Sequence, residues 1–100
     1  MQTIDEFQKM CAEVVENIDA KYNITRDPQL SFTQFIEEVG ELAKEINKPK
    51  LRSQEIDQSN LSDEFADVTL QLFILAKILD VNIAEAVESK IKTLKERHDL

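Results

Sequence analysis

The fifteen residues from Phe65 to Leu79, "FADVTLQLFILAKIL", limit the fold of this chain more than any other segment. Eleven of them are apolar. At about 100° per residue they point in all directions round a helix, and a helix apolar on every side has to be covered on every side. In a chain of 100 residues, three partner helices can hardly supply that cover. The expected answer is burial against another subunit in a symmetric homodimer or homotetramer. A well-covered central helix in a monomer is the alternative.

The rest of the chain also reads as helix. There is one glycine, Gly40, and two prolines, so breakers are scarce. The first helix runs from about Ile4 to Tyr22, opened by a Thr3/Glu6 capping box, with Ile4, Phe7, Cys11, Val14 and Ile18 as its apolar stripe. Asn23 to Leu30, with Asp27-Pro28, reads as a loop. The second helix starts at Ser31, with Gln34 completing another capping box, and ends near Asn47. Its stripe is Phe32, Phe35, Ile36, Val39, Leu42, Ala43 and Ile46. Lys48 to Asn60 reads as a loop, in which Lys48, Lys50 and Arg52 are either loose surface charge or within reach of a phosphate. The third helix spans about Leu61 to Leu79. The short "Asp80-Val81-Asn82" link predicts an antiparallel hairpin with the fourth helix, which begins at Asn82 with Glu85. The expectation is an all-α fold in a single domain, residues 1–100.

A net charge of −8 argues against non-specific binding to nucleic acid or to anionic membranes. A polyanion could still bind if a divalent cation came first. No apolar run reaches the roughly 18 residues of a membrane span. Cys11 is the sole cysteine, so no intrachain disulfide forms, and its place on an apolar face points to packing. The acidic, amphipathic "MQTIDEFQKM" lacks the features of a secretory signal, and the expected location is the cytoplasm.

The carboxylates break the pattern of good helix design. Glu37, Glu38, Glu41 and Glu45 crowd the second helix, together with Gly40, although like charges and glycine both weaken a helix. By helical angle Gln34, Glu38, Glu41 and Glu45 share one flank, with Glu37 further round. On the third helix Glu64, Asp67 and Gln71 line one side, with Asp67 inside a segment expected to be buried. Buried carboxylates are paired, protonated or metal-bound, and few basic partners lie nearby. If the two helices pack antiparallel, Glu38, Glu41, Glu64 and Asp67 converge into a hard-oxygen site suited to Mg²⁺ or Mn²⁺. The plainer alternative is a solvated acidic face. Gly40, on the flank opposite Glu38, is expected to let a neighbouring helix approach closely.

"EEVGELAKEI" followed by "LSDEFADVTLQLFILAKI" resembles the MazG-like family of all-α nucleoside triphosphate pyrophosphohydrolases. That family carries an E-E-x-x-E segment on one helix and an E-x-x-D segment on the next. The likeness continues through "VNIAEAVESKIKTLKERH" and covers roughly residues 30 to 98. It implies an oligomeric four-helix bundle of antiparallel helices that hydrolyses an NTP or dNTP to the monophosphate and pyrophosphate. It implies Glu38, Glu41, Glu64 and Asp67 as Mg²⁺ ligands, with Glu37 as a further ligand or the group orienting the attacking water. It also implies phosphate contacts from Lys90 and Arg97, which otherwise read as the solvated basic end of a helix. The chain departs from relatives at Leu94 and in ending "ERHDL" where they often end in Tyr-Pro. Phosphoribosyl-ATP pyrophosphohydrolase, from the same superfamily, and a non-catalytic helical interaction module are the alternatives.

Overall fold

The structure is a computed structural model and describes residues 2–100. Its elements are α1 (Ile4–Lys21), α2 (Pro28–Ile46), α3 (Lys48–Leu51), α4 (Gln58–Ile78) and α5 (Ile83–Arg97), and the described residues contain no strand. No helix is long and apolar enough to cross a membrane.

The helix starts follow side-chain capping. Thr3 Oγ1 accepts the Glu6 N–H at 3.1 Å, as its capping box predicts. α2 begins earlier than Ser31. Asp27 Oδ1 accepts the Leu30 N–H at 2.7 Å, and Pro28 takes the first helical position, where its missing N–H is harmless. The Asp-Pro pair that reads as a loop is therefore a cap. Ser31 instead lies fully buried inside α2. Asp57 likewise caps α4 through the Asn60 N–H at 3.1 Å, so the helix begins at Gln58, three residues before the expected start at Leu61. Asn82 caps α5 through the Glu85 N–H at 3.0 Å.

The helix ends are closed without glycine. Asn23, Asp80 and Asp99 follow α1, α4 and α5 in the left-handed region, with φ of 58°, 58° and 56°. Each is part of a Schellman closure; after α4, Asp80 N–H donates to Lys77 O at 3.0 Å and Val81 N–H to Ala76 O at 2.8 Å. This closure, with anchoring on α1, redirects the chain. Gln8 is buried on α1, donating from Nε2 to Val81 O at 3.0 Å and accepting the Ile83 N–H at 3.1 Å. Asn82 Nδ2 donates to Asp5 Oδ1 at 2.9 Å. As a result α5 leans on α1, and the antiparallel α4–α5 hairpin expected from the short link does not form.

The main packing is α2 against α4, with α1 crossing α4. α2 and α4 run antiparallel: the Asn60 side chain meets Glu45 at one end, and Leu75 and Leu79 meet Pro28 and Phe32 at the other. The small core holds Ala12, Val15 and Ile74, with Ile78 against it; Phe7 and Phe73 meet edge to face at 6.1 Å. Cys11 is buried as expected.

Much of each apolar stripe does not face this core. On α1 the buried face is Gln8, Cys11, Ala12, Val15 and Asp19, so Ile4, Val14 and Ile18 are exposed. Polar residues turn inward because they have partners: Asp19 takes a two-pronged ion pair from Arg26, at 2.6 and 3.0 Å. On α2 the buried residues are Ser31 and Glu45, while Phe32, Ile36, Val39 and Ile46 look outward. α4 is only partly covered; Phe73, Ile74 and Ala76 are buried, whereas Phe65 is 54% exposed.

Candidate metal centre

The site follows from the α2–α4 register. Asn60 beside Glu45 places the acidic turns of the two helices opposite one another, at the middle of their contact. Glu38, Glu64 and Asp67 each bring a carboxylate oxygen into a cluster whose oxygens lie within 4.8 Å of one another. Oxygens sharing one octahedral Mg²⁺ stand about 3 Å apart when adjacent and about 4.2 Å when opposed. Among three ligands only one pair can be opposed, so the cluster closes by up to roughly 2 Å to share one ion. Hard oxygen donors of this kind select Mg²⁺ or Mn²⁺ over softer metals.

Among the described residues, no basic side chain pairs with Glu38, Glu41, Glu64 or Asp67. The consequence is electrostatic. Partial burial, then the charges of Asp67, Glu64, Glu41 and Glu37, push the Glu38 carboxyl above the ordinary glutamate range. Partial burial, then Asp67, Glu41, Glu45 and Asp63, push Glu64 up in the same way. A cluster of unneutralised carboxylates is what a divalent cation relieves.

Of the four expected ligands, the structure brings three together. Glu41 stands beside them, close enough to raise both Glu38 and Glu64, and borders a cavity with Glu64. Glu37 is exposed and acts on Glu38 as the weakest of the four charges. Asp67 is exposed in the chain, not buried as its apolar neighbours imply, because those neighbours are themselves partly uncovered. Lys90 and Arg97 are exposed on α5, which does not pack along α2. The structure therefore does not bring them to the carboxylates within one chain.

Gly40 lets no helix approach: a Cβ built there meets nothing within 4 Å. The close packing expected at this glycine is absent, because its face of α2 carries no neighbour in the chain.

Three features escape sequence reasoning. Glu45, on the same flank as the ligands, is 1% exposed and structural. It accepts Lys48 Nζ at 2.8 Å, the Asp57 N–H at 3.3 Å and the Asn60 amide, fastening α2 to α3 and to the start of α4. The Lys48 and Asn60 hydrogen bonds hold its carboxyl below the ordinary range. Gln34 is engaged by Arg26, whose Nη1 donates to its Oε1 at 2.6 Å. Gln71 Oε1 is buried without a hydrogen-bond partner, two turns along α4 from Glu64. A spacing pattern places these residues on a face but does not reveal their partners.

An all-α fold with E-E-x-x-E and E-x-x-D segments facing one another across two antiparallel helices defines a class: helical nucleotide pyrophosphohydrolases, which are generally dependent on a divalent metal. Residues 26–100 match the MazG nucleotide pyrophosphohydrolase domain, and the chain belongs to that family. Over 64 aligned positions the chain is 36% identical to YpjD, an uncharacterized protein of Bacillus subtilis (strain 168). The match takes in 59% of this chain and 56% of YpjD, so the chain spans little more than half the length of that relative.

Proposed function

We propose that this chain is a Mg²⁺-dependent nucleoside triphosphate pyrophosphohydrolase, with Mn²⁺ as an alternative ion, that removes non-standard or excess nucleotides. The observation that carries this reading is the convergence of Glu38, Glu64 and Asp67 within 4.8 Å without a basic partner. Family membership supports the general reaction; the metal, the substrate and the residue roles are the proposal.

Glu38, Glu41, Glu64 and Asp67 would hold the ion. When bound, the divalent ion supplies positive charge that polarises the phosphoryl oxygens and steadies the departing pyrophosphate. Glu37, exposed beside Glu38, orients the attacking water and takes its proton. The water oxygen bonds to the α-phosphorus. The bond from that phosphorus to the bridging oxygen breaks, and its electron pair leaves with pyrophosphate.

The functional unit in this proposal is a homodimer or homotetramer. The outward stripes of α1 and α2 support it, as does a groove of about 430 Å³ lined by Phe7, Met10, Val14 and Phe65. The radius of gyration, 16.3 Å, is also large for a chain that completes its own core, where about 13 Å is usual at this length. Lys90 and Arg97 are proposed as further phosphate contacts; since α5 does not pack along α2, they meet substrate only in the assembled oligomer.

The test is Mg²⁺-dependent release of pyrophosphate from a panel of NTPs, dNTPs and phosphoribosyl-ATP. Turnover of an NTP or dNTP supports the proposal. Turnover of phosphoribosyl-ATP alone assigns the other reaction. No turnover, with no divalent binding by calorimetry, leaves a helical interaction module.

A further inference from the structure

Next to the carboxylates, at the corner where α2 gives way to α3, lies a cavity of about 310 Å³. Its lining includes Glu41 and Glu64, beside the metal centre, and the cations Lys44, Lys48 and Arg52, with Glu45 already paired to Lys48. We propose that this corner is the subsite for the terminal phosphates of the substrate and for the pyrophosphate product, with Lys44 and Arg52 as its anion-binding side chains. The inference rests on the pyrophosphohydrolase reading above.

The cations are not equivalent. Lys48 is occupied, since its Nζ lies 2.8 Å from the buried Glu45 carboxylate. Lys44 and Arg52 make no ion pair and no side-chain hydrogen bond among the described residues, yet both border the cavity. Neither sits on a loose loop. Lys44 belongs to α2, one turn from Glu41. Arg52 follows α3 as its C-cap, its N–H bonded to Lys48 O at 3.0 Å, and the Gln54 N–H closes on the same carbonyl at 3.2 Å. Glu45 in turn fixes α3 and the start of α4 around the corner. The cavity thus brings two unpaired cations beside carboxylates of the proposed metal centre, in a frame that Glu45 fastens. A phosphate chain with a divalent ion on its inner end complements that polarity, and guanidinium suits phosphate by its paired donors.

This placement also gives the nucleotide a direction. With its tail at Lys44 and Arg52 and its α-phosphate at Glu38, Glu64 and Asp67, the nucleoside lies further along α4, toward Gln71. There the buried Gln71 Oε1 lacks a donor.

The experiment is calorimetry of inorganic pyrophosphate in the presence of Mg²⁺, on wild type and on Lys44→Gln, Arg52→Gln and the double variant. Both positions are exposed, and circular dichroism checks that the helices remain. The expected result is about tenfold weaker pyrophosphate binding for each single variant and a larger loss for the double. Mn²⁺ affinity without pyrophosphate and inhibition by the nucleoside monophosphate stay near wild type, and Arg52→Lys recovers part of the loss. If wild type binds pyrophosphate and the variants bind it equally well, the subsite is wrong and the enzyme reading stands. The same holds if wild type turns over nucleotides without binding pyrophosphate. If wild type neither binds pyrophosphate nor turns over any nucleotide, the enzyme reading fails and the subsite with it.

Discussion

Glu45 and Lys48 form an ion pair at 2.8 Å in which the carboxylate is 1% exposed, at the joint of α2, α3 and α4. Removing one member of a buried pair leaves the other groups unsatisfied. Glu45→Ala should lower the melting temperature by several degrees and loosen the α3 corner. Glu16→Ala breaks the half-exposed pair with Lys77 and should change stability by about 0.5 kcal/mol or less. The Glu45 carboxyl is held below its ordinary range, so its stabilisation is present above that range and is lost as pH falls through the depressed value. Thermal denaturation of both variants across acid pH checks the contrast.

Glu38 and Glu64 titrate with the opposite sign. Their carboxyls are raised, so their contribution to stability is fully present below the ordinary glutamate value and is lost as pH rises through the raised values. Asp67 is the largest charge acting on each, after burial. Asp67→Asn should therefore leave metal-free protein as stable as wild type or more so near neutral pH, and flatten this part of its pH profile. The same variant should lose turnover by about 100-fold or more. Gross unfolding of Asp67→Asn in chelator would make the residue structural.

Gly40 sits in the interior of α2 with helical geometry and open space around it. Alanine there should stabilise the chain by about 0.4–1 kcal/mol, because it restricts the unfolded state and meets no obstacle. A melting temperature that falls instead would place another surface against this face of α2.

The apolar groove at Phe65 predicts association. Light scattering on purified protein should give a dimer or tetramer, and Phe65→Asp should shift it toward smaller species. A monomeric wild type would mean that these outward stripes stay in water.

The sequence made the helices legible because breakers are scarce and apolar periodicity marks α1, α2 and α5, and it placed Glu38, Glu64 and Asp67 together because the acidic turns repeat at helical spacing. It misplaced what depends on partners distant in the chain. Ser31 looks like a cap, but Asp27 with Pro28 outcompetes it one turn earlier. The short link after Leu79 reads as a hairpin, but Gln8 and Asp5 hold that link on α1, seventy residues and more upstream. Glu45 shares a face with the ligands, and only the arrival of Lys48, Asn60 and the Asp57 N–H makes it structural. The cavity at Lys44 and Arg52 was hidden for the same reason, since α3 falls where polar composition reads as loop.

The most direct test of the central claim is the Mg²⁺ dependence of pyrophosphate release, measured for wild type and for Glu38→Gln on a panel of NTPs and dNTPs. Wild type should release stoichiometric pyrophosphate and nucleoside monophosphate from at least one substrate and none in chelator, and the variant should lose about 100-fold or more. Turnover that persists in chelator, or in Glu38→Gln at the wild-type rate, would contradict it.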